Sequence, residues 1–286
     1  LSIILIVISI YSLFVNKLNF GLDFTGGSLI EIRLTEDIDS LDEIRGLLQS
    51  MNLNDFQVNY FGSNRDISIK VPAGDNSLDE SVLIQNLKQY FDFEVRRQEF
   101  VGPQVGSELR DQGGLGLLAA LAVMMVYIMF RFQYKFALGA LLALIHDVVI
   151  VLGFFSFFSL DFDLPVLAAI LAVIGYSLND TIVVSDRVRE NFRKKRRSNS
   201  EIAINRSLSQ MIGRTLITSL TTLLVLIALL IFGGETISNF SIALIVGVIS
   251  GTYSSIYIVC NTLLSLKVTS EDLMIRKTEV LDDGMP

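Results

Sequence analysis

The sequence predicts an α-helical integral membrane protein that carries an α+β domain outside the bilayer. Hydrophobic residues make up 51% of the 286 residues and the mean hydropathy is +0.54, which is too apolar for an ordinary soluble chain of this length. The apolar residues also lie in long runs, as they do in transmembrane helices. A polar stretch, residues 16–112, separates the first run from the others. We therefore expect six transmembrane helices: one helix, then the domain, then five more helices.

The apolar runs define the predicted spans. Each of the last five is about long enough to cross a hydrocarbon core of ~30 Å. The first begins without Met and no small-residue cleavage site follows it, so we interpret it as a span whose start is trimmed and not as a signal peptide. The runs are residues 1–15, 115–130, 136–159, 164–185, 214–232 and 238–266.

These runs divide the chain into four predicted regions. The first transmembrane helix is residues 1–15, the α+β domain is 16–112, the five-helix bundle is 113–266 and the C-terminal tail is 267–286.

Lysine and arginine in the short loops indicate the orientation. The turn 131–135 and the loop 187–200 contain Arg and Lys, whereas the loops 161–163 and 233–238 contain neither. Short cytoplasmic loops carry the excess of positive charge. Both termini are therefore predicted to be cytoplasmic, in a plasma (inner) membrane, with the domain on the periplasmic or extracellular side. The run RKKRR, 193–197, is interpreted as a topology anchor that meets anionic lipid head groups rather than as a nucleic-acid site.

Periodicity within the domain predicts the element order βαββαβ. The segment 28–34 alternates as a strand, and 40–51 and 77–91 have helical spacing behind Ser/Asp caps. The segments FQVNYF, DISIKV and FEVRRQEFV supply three more strands. This order is typical of a ferredoxin-like split sandwich with one hydrophobic core.

The sequence gives no support for catalysis or for a cofactor. The motifs GxxxxGK[ST], HExxH and GxSxG do not occur. His146 is the single histidine and Cys260 the single cysteine, so a usual zinc site and an intrachain disulfide are both excluded. We therefore predict a protein that is not an enzyme and that needs no metal or cofactor.

Polar and ionisable residues inside the predicted spans are the candidate functional residues. Such groups are costly in lipid and usually face the interior of a helix bundle. Hydroxyls after Arg214 recur at steps of i, i+3, i+4 and i+7, so Thr218 belongs to a polar stripe on one helix face. The candidates are His146 and Asp147 in the third span, Asn179 and Asp180 in the fourth, and Arg214 and Thr218 in the fifth.

Spacing alone leaves two interpretations of Asp180 and Arg214. In the first they form a proton path, because a carboxylate kept from bulk water can hold a proton near neutral pH and a moving arginine can switch its proton affinity. In the second they form a fixed ion pair near the cytoplasmic interface, and the hydroxyl stripe joins helices. His146 and Asp147 are likewise either a relay or a local hydrogen bond.

Two further motifs contain glycine. Gly247, Gly251 and Ser255 lie at four-residue steps in the last span, which is typical of close helix packing.

The second motif, LDFTGG, lies where the chain leaves the membrane. Gly26 and Gly27 can adopt positive φ there, and Asp23 and Phe24 precede them. The motif is interpreted either as a hinge that lets the domain follow helix motion or as a rigid turn.

These motifs resemble those of the SecD/SecF family of the RND superfamily. NFGLDFTGGSLIEI (19–32) is similar to a signature shared by both halves of the family, and GYSLNDTIVVSDRVREN (175–191) to the fourth-span signature of the SecF branch. Many relatives carry Phe where this chain has Ser185. Further similar segments are VGPQVGSEL (101–109), IHD (145–147), GRTLITSLTT (213–222) and SGTYSS (250–255).

The resemblance implies a subunit that pairs with SecD in a twelve-helix complex and uses the proton-motive force to promote protein export. In the family the fourth-span aspartate and the fifth-span arginine belong to the proton path, and they match Asp180 and Arg214. The implied partners are SecD, the SecYEG channel with YajC and YidC, the translocating preprotein and the lipid bilayer, with no nucleic acid.

Two alternatives differ from this interpretation. An RND-type exporter of small molecules or lipids usually has two large external loops, whereas this chain has one. A subunit that only stabilises SecD would keep the packing motifs but would not require Asp180.

Overall fold

The computed structural model describes residues 2–38, 40–51, 53, 56–61, 63–73, 80–194, 199–234 and 237–269. The helices are α1 Ser2–Val15, α2 Leu22–Thr25, α3 Asp42–Ser50, α4 Glu80–Tyr90, α5 Pro103–Arg131, α6 Tyr134–Phe157, α7 Leu164–Lys194, α8 Ser200–Phe232, α9 Ser238–Tyr253, a π-helical turn Ser254–Ile258 and α10 Val259–Ser265. The strands are β1 Asn19–Phe20, β2 Gly27–Leu34, β3 Gln57–Phe61, β4 Ser63–Pro72, β5 Phe93–Val101 and β6 Asp161–Phe162.

Five helical segments of the described chain are long and apolar enough to cross a membrane, namely α5, α6, α7, α8 and the stretch Ser238–Ser265. Helix α1 is also apolar but has 14 residues. The expected boundary between residues 112 and 113 lies inside α5, which begins at Pro103. Helices α7 and α8 likewise extend beyond their apolar runs, because polar turns can continue a helical hydrogen-bond ladder in water.

Parts of several predicted segments lie outside the described residues. They include residue 1 of the first run, 77–79 of the second predicted helix of the domain, 195–197 of the basic run, 235–236 of the loop after α8, and 270–286 of the tail.

The α+β domain is built on a four-stranded antiparallel sheet with the strand order β3-β4-β2-β5. From β2 to β5 the elements follow in the order βαββαβ. Apolar residues of β2 and β4, such as Ile30 and Ile67, alternate with polar ones and pack against Ile44 of α3 and Leu87 of α4. All four side chains are fully buried, so the domain has its own hydrophobic core.

The helical bundle is centred on α7, which contacts α6, α8 and α9. About half of the most apolar window is buried in α6, α7 and Ser238–Ser265, at 56%, 56% and 50%. In α5 and α8 the buried shares are only 6% and 17%. Helices α5 and α8 therefore form the outer wall of the bundle.

Helix α1 packs along α6 through small residues. A Cβ atom at Gly153 would overlap Ser9, and the hydroxyls of Ser12 and Ser156 lie 3.0 Å apart. The chain after α1 then pairs in parallel with the loop between α6 and α7, through β1 and β6. This short pairing fixes the entrance of the α+β domain to the end of the bundle.

Candidate functional site

Asp180 lies on the inner face of α7 and is 7% exposed. Its Oδ2 atom is buried and has no hydrogen-bond partner among the described residues, and the same is true of the hydroxyl of Tyr176 one turn earlier. Unpaired buried polar atoms are rare and each costs about 1–3 kcal/mol. This face of α7 therefore carries a functional candidate rather than ordinary helix packing.

Arg214 on α8 acts electrostatically on Asp180. The two residues form no salt bridge within 4.0 Å in the part of the chain that the structure describes. The fixed ion pair considered from the sequence is therefore not formed in this structure. The guanidinium of Arg214 is therefore close enough to act electrostatically on the carboxylate of Asp180 but does not form a salt bridge with it.

Asn179, Arg214 and Thr218 are exposed on the surface of the single chain. The hydroxyl of Thr218 donates to the carbonyl oxygens of Arg214 and Thr215, at 3.1 and 2.9 Å. Thr215 and Ser219 instead face inward, at 2% and 4% exposure. The polar stripe of α8 is thus divided between an inner and an outer face.

Asp147 on α6 is the second buried carboxylate of the bundle and is 1% exposed. It accepts hydrogen bonds from Ser177 on α7 at 2.6 Å, from Ser250 on α9 at 2.8 Å and from Ser254 in the π-helical turn at 2.7 Å. We call Asp147 and these three serines the serine–aspartate cluster. One carboxylate thereby joins three neighbouring helical segments to α6.

His146 completes the surroundings of this cluster. Its Nδ1 lies 3.0 Å from Oδ1 of Asp147, and its ring stacks on Tyr253 with the centroids 6.2 Å apart. The other ring nitrogen, Nε2, is buried and has no partner among the described residues. The π-helical turn that begins at Ser254 adjoins the cluster, and such turns are frequent at functional sites.

The small residues of the last span bring α9 close to α7. A Cβ atom at Gly247 would overlap Val173. At Gly251 it would lie 3.1 Å from Cβ of Ser177 and 3.5 Å from Oδ2 of Asp147. Ser255 is buried and its hydroxyl donates to its own helix, at 3.2 Å from the carbonyl oxygen of Thr252. The two glycines therefore lie where larger side chains would push the serines of α9 away from Asp147.

The LDFTGG segment is packed against the end of the bundle. Asp23 accepts a hydrogen bond from the N–H of Leu164, the first residue of α7, at 3.0 Å. Phe24 is 4% exposed and stacks on Phe162 of β6, with the centroids 5.9 Å apart. A carboxylate at this position also complements the dipole of α7.

Gly26 and Gly27 then turn the chain into β2 with φ values of 70° and 134°. A Cβ atom at Gly26 would lie 2.7 Å from Cα of Pro103. Both positions therefore need glycine, for the backbone conformation and for space.

Charged residues also join the domain to the bundle. Lys70 of β4 pairs with Asp161 of β6. Asp163, two residues further on, is partly buried, and this burial raises its pKa; the nearby charges of Asp23 and Asp161 raise it further. Acidic groups thus accumulate where α7 begins.

Sequence reasoning assigned no role to Ser177 or to the contacts of Ser250 and Ser254. The available signal was hydroxyl groups within otherwise apolar spans. Spacing along one helix does not show that serines from different helices meet at one carboxylate.

This fold and these buried groups define a multi-pass helical membrane protein with ionisable side chains among its helices. Comparison with known proteins agrees with that class. The family described as protein export membrane protein SecD/SecF, C-terminal, matches residues 82–269, and the SecD/SecF GG motif matches residues 11–38. The chain belongs to the SecD/SecF family.

Relatives with the subunit name SecF are similar over the whole chain. The protein translocase subunit SecF of Pseudomonas aeruginosa is 50% identical over 287 residues, which cover 100% of this chain and 94% of that protein. The subunit of Vibrio alginolyticus with the same name is 44% identical over 293 residues, covering 100% and 93%. The resemblance to the SecF branch of the family is therefore confirmed.

A solved structure shows the same architecture. The crystal structure of SecDF, a translocon-associated membrane protein from Thermus thermophilus, superposes with a TM-score of 0.84 at 34% identity. The match covers 93% of this chain and 37% of that one, so this chain spans little more than a third of SecDF. SecDF in its super-membrane-facing form gives a TM-score of 0.68.

Proposed function

We propose that the chain is a SecF-type subunit that pairs with SecD and uses the proton-motive force to promote protein export through SecYEG. The observation that carries this proposal is Asp180. It is a buried carboxylate inside a membrane helix, with one oxygen unpaired among the described residues and Arg214 near but not bonded to it. Such a group can load and release a cation as its neighbours move.

The proposed proton pathway contains the six residues selected from the sequence, in different roles. Asp180 carries the proton, and Arg214 changes the proton affinity of Asp180 by approaching or withdrawing. Asp147 and His146 continue the polar path through Ser177, which lies one turn before Asp180 on α7. Asn179 and Thr218 line the outer side of the path.

Pairing with SecD is supported by the outward position of polar residues. Ionisable residues in membrane helices face the interior of a bundle, yet Arg214 and Asn179 are exposed on this chain. Arg214 lies on α8, which with α5 is the least buried of the candidate spans, and Asn179 lies on α7, which contacts α8. We infer that SecD covers this face and that a larger bundle encloses these groups.

The remaining parts of the proposal concern topology. Helix α1 is a transmembrane span, the first along the chain, and brings the number of spans to six. The region 16–112 is a ferredoxin-like periplasmic domain. The bundle of 113–266 leads to a cytoplasmic tail at 267–286. The sheet order β3-β4-β2-β5 supports the ferredoxin-like assignment. SecYEG, YajC and YidC as contacts, and the lack of enzymatic activity, stay predictions.

The same contacts suggest how cation loading moves the domain. Asp23 is bonded to the first residue of α7, and Asp180 lies on that same helix. A tilt of α7 would therefore be passed to Asp23 and Phe24. We propose that Gly26 and Gly27 form the hinge about which the domain follows.

Vesicles that contain SecYEG, SecD and this chain test the proposal. Asp180→Asn should abolish the part of preprotein export that depends on the proton gradient, while the variant still co-purifies with SecD. Asp111→Asn, which changes an exposed carboxylate of α5, is the control and should keep that part of export. Gradient-dependent export near the native level in Asp180→Asn would reject the proton path.

Arg214→Lys tests whether the guanidinium itself is needed. We expect gradient-dependent export to fall about tenfold or more, because lysine lacks the planar fork and can lose its proton in an apolar setting. Export and membrane assembly are measured in the same vesicles. Full activity of the lysine variant would reduce the role of Arg214 to that of a positive charge.

A further inference from the structure

A second charged site lies at the basic end of the bundle, away from Asp180 and Asp147. A cleft of about 410 Å³ opens between the end of α5 and the last turns of α7. It is lined by Arg131, Asp186, Arg189, Glu190 and Arg193.

An aromatic ring holds two of these arginines together. The guanidinium carbons of Arg131 and Arg189 lie 5.0 and 5.3 Å from the centroid of the Phe132 ring. Phe132 itself is 5% exposed, so the ring is a fixed platform for both cations. The two guanidinium groups also share Asp186, at 3.1 and 3.3 Å.

The two carboxylates at the cleft do not neutralise all of its arginines. Asp186 is divided between Arg131 and Arg189, and Glu190 is bonded to Arg187 and Lys194 at 2.5 and 2.6 Å.

Two donors of the cleft have no acceptor among the described residues. Nε of Arg189 is buried and has no partner there, and Arg193 forms no ion pair with them. Both Arg193 and Arg131 repel Arg189 electrostatically. Within the described chain the site thus has an excess of positive charge and guanidinium donors without an anionic partner.

The geometry points to a phosphate-binding site formed by Arg131, Arg189 and Arg193. Guanidinium groups bind phosphate oxygens through paired, charge-assisted hydrogen bonds, and three of them around one cleft fit a tetrahedral anion better than a planar carboxylate.

The surroundings indicate where the phosphate comes from. Phe130, beside Arg131, is 89% exposed, and Tyr134 is 71% exposed. An apolar surface directly beside the cations suits a phosphate that is carried by the head group of an anionic phospholipid, with its acyl chains along α5.

Titration of the purified full chain in detergent micelles, followed by native mass spectrometry, tests the site. The probes are phosphatidylglycerol, diacylglycerol with the same acyl chains, and inorganic phosphate. We expect one phosphatidylglycerol to bind per chain and diacylglycerol not to bind. Saturable binding of inorganic phosphate without binding of phosphatidylglycerol would support the phosphate site but show that its ligand is a soluble anion and not a lipid.

Two variants and one control decide the outcome. Arg189→Gln should weaken binding about tenfold or more. Arg193→Gln, at an exposed position of α7, should weaken it several-fold. Arg110→Gln, at the other end of α5 and 51% exposed, should bind as the native chain does. Native-like binding by both the Arg189 and the Arg193 variants, or no binding of either phosphate probe, would overturn the proposal.

Discussion

Asp66 in the α+β domain and Asp147 in the helical bundle are both buried carboxylates, but their partners differ in charge. Asp66 accepts two hydrogen bonds from the guanidinium of Arg33, at 2.6 and 2.7 Å, and a third from Ser63. Asp147 accepts three hydrogen bonds from neutral serine hydroxyls. In the domain the carboxylate is stabilised by the positive charge of a guanidinium group that is partly exposed to water. In the bundle the carboxylate is stabilised by hydroxyl groups.

The difference follows from the solvent around each region. Arg33 is 44% exposed, so its charge remains partly hydrated. Inside a membrane helix a second full charge would have to be desolvated as well, and that penalty can exceed the attraction. Serine donates a hydrogen bond without adding charge. Among the described residues Asp180 has neither kind of partner at Oδ2, which sets it apart from Asp66 and Asp147.

The largest stability effect is expected at Asp147. Asp147→Ala should destabilise the bundle by about 3 kcal/mol, because three serines lose their common acceptor and His146 loses its partner. Cys260 is the single cysteine and is 4% exposed in α10, so its rate of reaction with a thiol dye reports opening of the bundle. The rate should rise about a hundredfold.

Asp111→Ala provides the control for that measurement, since Asp111 is an exposed carboxylate of α5. A labelling rate of Asp147→Ala equal to that of the native chain would show that the serine–aspartate cluster does not hold the helices together.

A smaller effect is expected at Asp66. Asp66→Asn should lower the local stability of the α+β domain by about 2 kcal/mol, since a charge-assisted pair with Arg33 is lost. Hydrogen exchange of the amides of β2 and β4 in the full chain measures it. Unchanged protection in the variant would contradict the assigned role of the pair.

The same pair predicts a pH dependence. Hydrogen bonding to Arg33 lowers the pKa of Asp66 from 3.8 to about 2. The stabilisation is therefore fully present above about pH 4 and is lost as the pH falls through 2. This acid loss of amide protection should be weaker in Asp66→Asn, where no carboxylate can be protonated. An equal acid response in both chains would assign it to other groups.

The smallest effect is expected for Ser254→Ala, which removes one of the three serine donors. The bundle should lose about 1 kcal/mol, and labelling of Cys260 should accelerate several-fold. A change as large as that of Asp147→Ala would mean that the π-helical turn, rather than the carboxylate, holds the cluster together.

Much of the architecture follows from local patterns in the sequence. Long apolar runs indicated membrane helices, and five described segments are long and apolar enough to be spans. Family membership could also be predicted, because motifs such as LDFTGG and NDTIVVSD are contiguous. The polar ends of α5, α7 and α8 were not predicted, since hydropathy reports only the apolar part of a helix.

The sequence by itself determined which residues are apolar, where the helices run and that Asp147 and Asp180 lie within them. Only the tertiary structure decided that Asp147 is enclosed by serines from α7, α9 and the π-helical turn, whereas one oxygen of Asp180 is unpaired among the described residues. The physical reason is that a hydrogen bond depends on atoms brought within about 3 Å. Ser250 and Asp147 are 103 residues apart in the chain, and only helix packing brings them together.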